Sequence, residues 1–362
     1  MTQRVDRTYP RAMHVQVVGG FLGAGKTTLV RAAARTLAAR GERVAVITND
    51  QGHSLVDTSL CRRDVAMVEE IAGGCFCCRF PQLEAALDAA ERAGASVVLA
   101  EAVGSCTDLV ATVLAPLDAR RRGRVRIAPL AVVVDPFRLA EVALDDAEDD
   151  VAYLYRKQIE EADIVLASRA DLAGPDVRAR ITAMRPGATI LAVSGTTGAG
   201  IDAWLAARPS EPSAPLDIDY ERYAAAEARL GWYDARVEVA GAAHDPAVFL
   251  ARFFTAIADA PIAHVKMTSE SGAHAALVAR GREPRITVAR AAVERSEWLL
   301  NARVALAPDV LEPMLRAAIT SAASPARAEL RDLACFQPGR PVPTHRLALR
   351  VLHDAASCAP IG

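Results

Sequence analysis

Three features are missing from this sequence, and each absence removes a class of function. There is no surplus of positive charge: 42 Lys and Arg stand against 44 Asp and Glu, for a net charge of −2. A protein that grips nucleic acid through its phosphates needs a basic excess to displace counterions, so that class is set aside. No run approaches the ~20 consecutive apolar residues that cross a bilayer as a helix. The stretch Met1 to Met13 is polar and lacks the apolar core of a secretory leader. The expectation is therefore a cytoplasmic chain with neither membrane nor nucleic acid as partner. Internal repeats are absent too.

What is present is ample material for buried cores: 52% of the 362 residues are hydrophobic and 24% charged. That length suggests two domains, or one large domain with a substantial appendage. From about Val15 to Trp204, short β-branched runs alternate with Ala- and Leu-rich helical stretches. The runs are Val15 to Val18, Val44 to Ile47, Val97 to Ala100, Leu130 to Val134, Ile164 to Leu166 and Thr189 to Leu191. Apolar strands separated by helices predict an α/β fold, a parallel sheet with helices on both faces. The stiff, polar Pro209 to Pro215 then marks a connector. Alternation at Ala235 to Val239, strand-like stretches at Ile262 to Met267 and Leu299 to Leu306, and helices near Ala247 to Ala258 and Asp309 to Ala323 predict a smaller C-terminal α+β domain. The predicted division is residues 1–208, a linker at 209–222, and 223–362.

The strand at Val15 runs into Gly20-Phe21-Leu22-Gly23-Ala24-Gly25-Lys26-Thr27 and then, through Thr28, into a helix. This is G-x-x-x-x-G-K-[ST] in a strand–loop–helix setting, the phosphate loop of P-loop nucleoside triphosphatases. Its glycines turn backbone N–H groups toward phosphate oxygens, and the helix N-terminus adds partial positive charge. Lys26 is read as the cation for the outer phosphates and Thr27 as a Mg²⁺ ligand. The strand ending at Ala100 delivers Glu101, with Gly104 three residues on. Glu101 is assigned to the Mg²⁺ or its water, and the Gly104 amide to the γ-phosphate, as a switch. A second switch candidate is Thr48-Asn49-Asp50-Gln51-Gly52, where Asp50 is the carboxylate placed to reach the metal region. His53 beside it reads as a solvated loop histidine.

Gly73-Gly74-Cys75-Phe76-Cys77-Cys78 gathers three of the seven cysteines. Thiols so close in sequence are poorly placed to pair with one another, so reduced thiolates are expected. Cysteines at i, i+2 and i+3 can aim three sulfurs at one borderline or soft ion such as Zn²⁺. Three ligands leave a tetrahedral position open for exchange. Glu70 is a candidate oxygen ligand or supporting contact. The Cys335, His345, His353 and Cys358 set is too loosely spaced for a known ligand pattern, and the acidic run Asp145 to Asp150 reads as a solvated face.

Together these residues resemble the CobW-like GTPases, relatives of the nickel-insertion GTPases that serve urease and hydrogenase. The resemblance rests on the phosphate loop, the Asn49 to Gly52 switch, the C-x-C-C site and the Glu101-Ala102-Val103-Gly104 step. It extends more loosely through Ala263-His264-Val265-Lys266 and Pro338 to Pro341. It implies a GTP-dependent metallochaperone or metal-insertion factor, a slow GTPase regulated by metal, with GTP and Mg²⁺ as cofactors. Zinc or cobalt would be the cargo, and a client metalloprotein or metal-cofactor enzyme the partner, with self-association open. The family reads guanine through N-K-x-D; here Ser168-Arg169-Ala170-Asp171 stands in its place. Asp171 keeps the carboxylate that accepts the guanine N–H groups, Arg169 can stack on the base, and Ser194-Gly195 supplies a loop for the base oxygen. A nucleotide-switch partner that carries no metal, and an ATP-dependent P-loop enzyme, are the alternatives.

Overall fold

The computed structural model describes residues 12–52, 56–143, 148–209, 212–269, 272–277, 283–288 and 292–348. His53, His353, Cys358 and the first half of the acidic run (145–147) lie outside the described residues. In the first sheet the strands are β1 (Met13–Gly20), β2 (Val44–Asn49), β3 (Met67–Ile71), β4 (Val97–Glu101), β5 (Val125–Ile127), β6 (Ala131–Val134), β7 (Ile164–Ala167) and β8 (Thr189–Ala192). Their order is β3-β2-β4-β1-β6-β7-β8, with β5 beside β1, and every described pairing is parallel. All six apolar runs lie in strands of this sheet. Burial on both faces explains why the inner strands lack alternation, whereas β8 at the sheet edge is only half-buried. Val15, Val17, Val98 and Val132 pack into one apolar layer, while Val18, Val46, Leu99 and Val133 pack into the other.

The second sheet is antiparallel, in the order β12-β11-β10-β13-β9-β14. Its strands are β9 (Gly231–His244), β10 (Ile262–Ser269), β11 (His274–Leu277), β12 (Arg285–Thr287), β13 (Val293–Val304) and β14 (Arg327–Phe336). Helices Pro246–Ala256 and Pro308–Ala323 cover one face, burying Phe249, Phe253, Leu311 and Leu315 against Val237, Met267 and Leu300. The helix before this sheet, Tyr220–Ala228, is capped by Asp219, whose carboxylate accepts from the Glu221 and Arg222 amides. It sends Tyr223 and Ala226 into the first domain's core, and Trp232 at the start of β9 follows them. This lashing brings β10 and β13 over the C-terminal edge of the parallel sheet. No described helix is long and apolar enough to cross a membrane.

One buried acid ties fold stability to pH. Glu161, at the end of helix Asp150–Glu160, accepts from the Thr107 hydroxyl at 3.1 Å and the Val110 amide at 3.4 Å. Burial, then the neighbouring Asp108, pushes its pKa up from 4.5 to about 8. Between those values the folded state keeps a proton that the unfolded chain releases. Stability therefore falls as pH rises through that window, by ~1.4 kcal/mol per pH unit for one proton. Glu161→Gln keeps the shape without the titration, so its stability should rise relative to wild type between pH 5.5 and 7.5. Urea midpoints at three pH values measure this; a constant difference would remove Glu161 from the account.

Candidate functional site

β1 delivers the phosphate loop to the centre of the sheet edge, where helix Lys26–Ala39 begins. Gly20, Gly23 and Gly25 hold φ of 124°, 73° and 101°, the left-handed region that side chains resist. The Lys26 ammonium donates to the Gly20 carbonyl at 2.8 Å and the Phe21 carbonyl at 3.2 Å, spanning the loop from below. Burial lowers its pKa, and the charge of Glu101 opposes that drop.

Register carries Glu101 to the same place, because β4 pairs with β1 at Val18↔Glu101 and with β2 at Thr48↔Glu101. The Thr27 hydroxyl lies 2.9 Å from Glu101 Oε1 and 2.7 Å from Asp57 Oδ1. One hydroxyl proton cannot serve two carboxylates at once. Glu101 is buried, and its Oε2 finds no hydrogen-bond partner among the described residues. Burial and Asp57 push its pKa up to about 7 against the pull of Lys26 and Lys266. An orphaned carboxylate oxygen beside a threonine hydroxyl and a second carboxylate suits a hard divalent cation. Thr27, Glu101 and Asp57 are the residues that would hold Mg²⁺, which would neutralise phosphate charge there.

The C-terminal sheet closes this centre from above. Lys266 of β10 donates to Asp57 and lies 3.4 Å from the Thr27 hydroxyl. Burial raises the Asp57 carboxyl, but Lys266 and the Thr27 hydrogen bond outweigh it and leave the pKa below the usual value. A cavity of about 300 Å³ separates the phosphate loop from β10–β12, lined by Thr27, Asp171, Gly195, Lys266, His274 and Arg285 among others. A second space, about 30 Å³, touches Asp50, Asp57, Glu101, Gly104 and Arg303. It is wide enough for one water or ion.

β2 ends on Asn49, which stitches the switch to the cysteine loop. Its amide donates to the Ile71 carbonyl at 2.9 Å and the Gly74 carbonyl at 2.7 Å, and its carbonyl accepts from the Phe76 amide at 2.9 Å. The Gly73 amide reaches the Gly52 carbonyl at 3.2 Å. Held this way, Cys75, Cys77 and Cys78 converge: their sulfurs are 2.6, 3.2 and 3.8 Å apart in pairs. Cys106 is buried beyond this loop, and Cys75 and Cys77 lower its pKa to about 6, but its sulfur is not among the three that converge. Hydrogen bonding to Cys75, then burial, pushes Cys78 up to about 11.

A family model described as "CobW/HypB/UreG, nucleotide-binding domain" matches residues 14–192. Residues 14–192 form a CobW-like P-loop GTPase domain. The chain is 30% identical over 201 residues to the "Zinc chaperone CobW" of Pseudomonas aeruginosa, covering 47% of this chain and 52% of that protein. It thus spans about half the length of that relative. It is 26% identical over 292 residues to the "Zinc chaperone CobW" of Sinorhizobium sp, covering 69% of this chain and 79% of that protein. HypB from Helicobacter pylori, solved in complex with nickel, aligns with a TM-score of 0.40 at 18% identity, over 54% of this chain and 84% of that one.

Within the CobW-like domain, several expected residues meet and others do not. Lys26, Thr27 and Glu101 converge. Gly104 sits flush on the phosphate loop, where a Cβ would come within 2.6 Å of Leu22 Cδ2 and 3.0 Å of its Cα. Asp50 lines the smaller space, but its carboxylate accepts from Arg303 at 2.8 Å while Asp57 takes the place beside Thr27. Glu70 is exposed on β3 and is not among the groups converging with the cysteine sulfurs. Asp171 accepts from the Ser194 hydroxyl at 2.6 Å, and that hydroxyl in turn accepts from the Thr196 and Thr197 amides, so the two base loops are joined. Arg169 pairs with Asp135 at 3.2 Å and reaches the Gly23 carbonyl at 3.4 Å, braced against the phosphate loop rather than poised to stack. Sequence reading passed over Asp57, Lys266 and Cys106. Lys266 lay in a segment noted only for its loose family resemblance, Cys106 was a thiol in the loop that begins at Glu101, and Asp57 carried no signal.

Proposed function

We propose that this protein is a GTP-dependent metallochaperone, coupling GTP binding and hydrolysis to the uptake and release of a transition metal such as Zn²⁺ or Co²⁺ for a client metalloprotein. The observation that carries the reading is the lacing of the cysteine loop by Asn49. The same short segment borders the phosphate-side space at Asp50 and anchors Gly74 and Phe76. A shift of the switch on loss of the γ-phosphate would therefore act on the thiols within one hydrogen bond. In the proposed division, Lys26 and the loop amides hold phosphate, and Thr27, Glu101 and Asp57 surround Mg²⁺. Asp171 reads guanine, and Cys75, Cys77 and Cys78 hold the cargo.

Coupling of this kind is reciprocal and ordinarily amounts to ~1–3 kcal/mol. Titration of Co²⁺ into the reduced protein should give one ion per chain, with an affinity that differs by about tenfold or more between Mg²⁺–GTP and Mg²⁺–GDP. Equal affinities with both nucleotides would leave a metal site without a switch. No cysteine-dependent ion at all would favour the assembly partner that carries no metal. Competition of ATP against GTP in the same protein tests Asp171, since adenine offers no matching pair of N–H groups.

A further inference from the structure

The second sheet reaches into the nucleotide site with a lysine. Along β10 the side chains alternate. Val265 and Met267 pack into the core of the C-terminal domain, while His264, Lys266 and Thr268 point toward the first domain. Strand pairing sets Lys266 opposite Asn301 of β13, whose side-chain oxygen accepts from the Val56 amide at 2.8 Å. Two residues along, the Thr268 hydroxyl accepts from the Arg63 guanidinium at 2.8 Å, and the Ser269 carbonyl accepts from it at 2.6 Å. The sheet is thus fastened at the start of helix Val56–Cys61 and just beyond its end, on the helix that carries Asp57. In that frame the Lys266 side chain is 16% exposed, donates to Asp57 and lies 3.4 Å from the Thr27 hydroxyl. Like Lys26, it borders both the cavity of about 300 Å³ above the phosphate loop and the smaller space beside Gly104.

Holding two domains together is a weak reason for a cation at this point, because desolvation consumes much of the Coulomb attraction of a buried ion pair. Nucleotide chemistry supplies a stronger one. The phosphate-loop threonine serves the Mg²⁺ that bridges the β- and γ-phosphates, so a cation within reach of its hydroxyl stands on the side of the outer phosphates. Asp57 and Glu101 already bring negative charge there, 2.7 and 2.9 Å from the Thr27 hydroxyl. A triphosphate adds more than one Mg²⁺ and Lys26 can balance, and Lys26, Thr27 and Glu101 are buried, where unbalanced charge is expensive. We propose that Lys266 is a second phosphate-binding cation, delivered by the C-terminal sheet, and that it sets the preference of the site for GTP over GDP. The proposal rests on reading the phosphate loop as a GTP site and goes further, because it makes the second domain part of that site. The loop amides and Lys26 meet the β-phosphate of either nucleotide. Only GTP adds charge on the Thr27–Asp57 side, where Lys266 pairs with it; with GDP the ammonium keeps Asp57 as its partner.

The test reads affinity rather than turnover. Fluorescent GTP and GDP analogues are titrated into the full chain at saturating Mg²⁺, for wild type, Lys266→Met and Lys266→Arg. Lys266→Met should weaken the GTP analogue by about tenfold or more, the ordinary loss for a charged hydrogen-bond partner, and the GDP analogue by less than about threefold. Lys266→Arg keeps the charge and should retain part of the preference, since a guanidinium also pairs with phosphate. In Lys266→Met, equal weakening of both analogues, or of neither, would overturn the proposal and leave Lys266 as an ion pair between domains. Wild type that binds neither guanine nucleotide would instead overturn the GTP reading beneath it. A measurement on wild type alone covers the case in which Lys266→Met folds poorly. An amine-acetylating reagent, followed by mass spectrometry, should modify Lys266 about fivefold more slowly with a non-hydrolysable GTP analogue than with GDP, because an amine paired with phosphate stays protonated. Equal rates would overturn the proposal without any substitution.

Discussion

Lys26→Ala should lower kcat/KM for GTP by about 10²–10³-fold, the usual loss when a preorganised donor to a transferring phosphoryl group is removed. The ammonium donates to the Gly20 and Phe21 carbonyls, at 2.8 and 3.2 Å. Those two bonds hold it at the loop, and phosphate oxygens offer full negative charge in their place. The loss should fall on KM and kcat together, because the contact is made to the bound nucleotide as well as to the charge that develops in the transition state. Lys26→Arg should fare little better, since a planar fork cannot replace a compact ammonium in a loop this closely wrapped. Steady-state hydrolysis and binding of a fluorescent GTP analogue separate the two contributions, with circular dichroism as the check on folding. Activity within threefold of wild type would show that another cation holds the phosphates. Lys266, 3.4 Å from Thr27, would then be the residue to examine.

What could be read in the sequence follows the range of the interactions involved. The phosphate loop is a local device, with strand, turn and helix contiguous, so Gly20 to Thr27 announced itself. The central strands were legible because burial on both faces demands unbroken apolar runs. β3 escaped notice because Met67–Ile71 is an edge strand, largely half-exposed and carrying Glu69 and Glu70. Its place is set by pairing with β2, not by its own pattern. Glu101 and the C-x-C-C loop were found from residue type and spacing, but their partners were not. Lys266 meets Thr27 across 239 residues and Arg303 meets Asp50 across 253. No periodicity encodes such contacts; they exist only once the second sheet is laid over the first. The same closure explains Asp50. A carboxylate at the end of β2 faces the metal region on local grounds, and it turns to Arg303 because a buried guanidinium is a stronger claimant. Asp57, on the short helix Val56–Cys61, takes up the vacated role.

That guanidinium makes the second large prediction. Arg303 is 2% exposed and its two terminal nitrogens each lie 2.8 Å from a carboxylate, Asp50 on the nucleotide side and Asp234 on β9. It also lies over the Trp232 ring at 4.0 Å. Burial, with Asp50 adding to it, already lifts the Asp234 pKa to about 6, even though Arg303 opposes the rise. Arg303→Met fills similar space and removes the charge, leaving the Asp50 and Asp234 carboxylates without the cation between them. The cost should be about 3–5 kcal/mol at neutral pH, the usual result of stripping one partner from a buried ion pair. The sign of the pH dependence follows from Asp234. Its folded pKa is raised, and raised further without Arg303, so the folded state holds a proton that the unfolded chain loses as pH increases. The variant's deficit should therefore be larger at pH 7.5 than at pH 5. Adding Asp234→Asn should recover part of it, because residues sharing one network are not additive. Urea unfolding at both pH values decides the matter. A deficit below 1 kcal/mol, or one indifferent to pH and to the second substitution, would mean that the two carboxylates are not held together by Arg303. The second sheet would then owe its grip on the nucleotide domain to the apolar contact of Trp232 and Tyr223 instead.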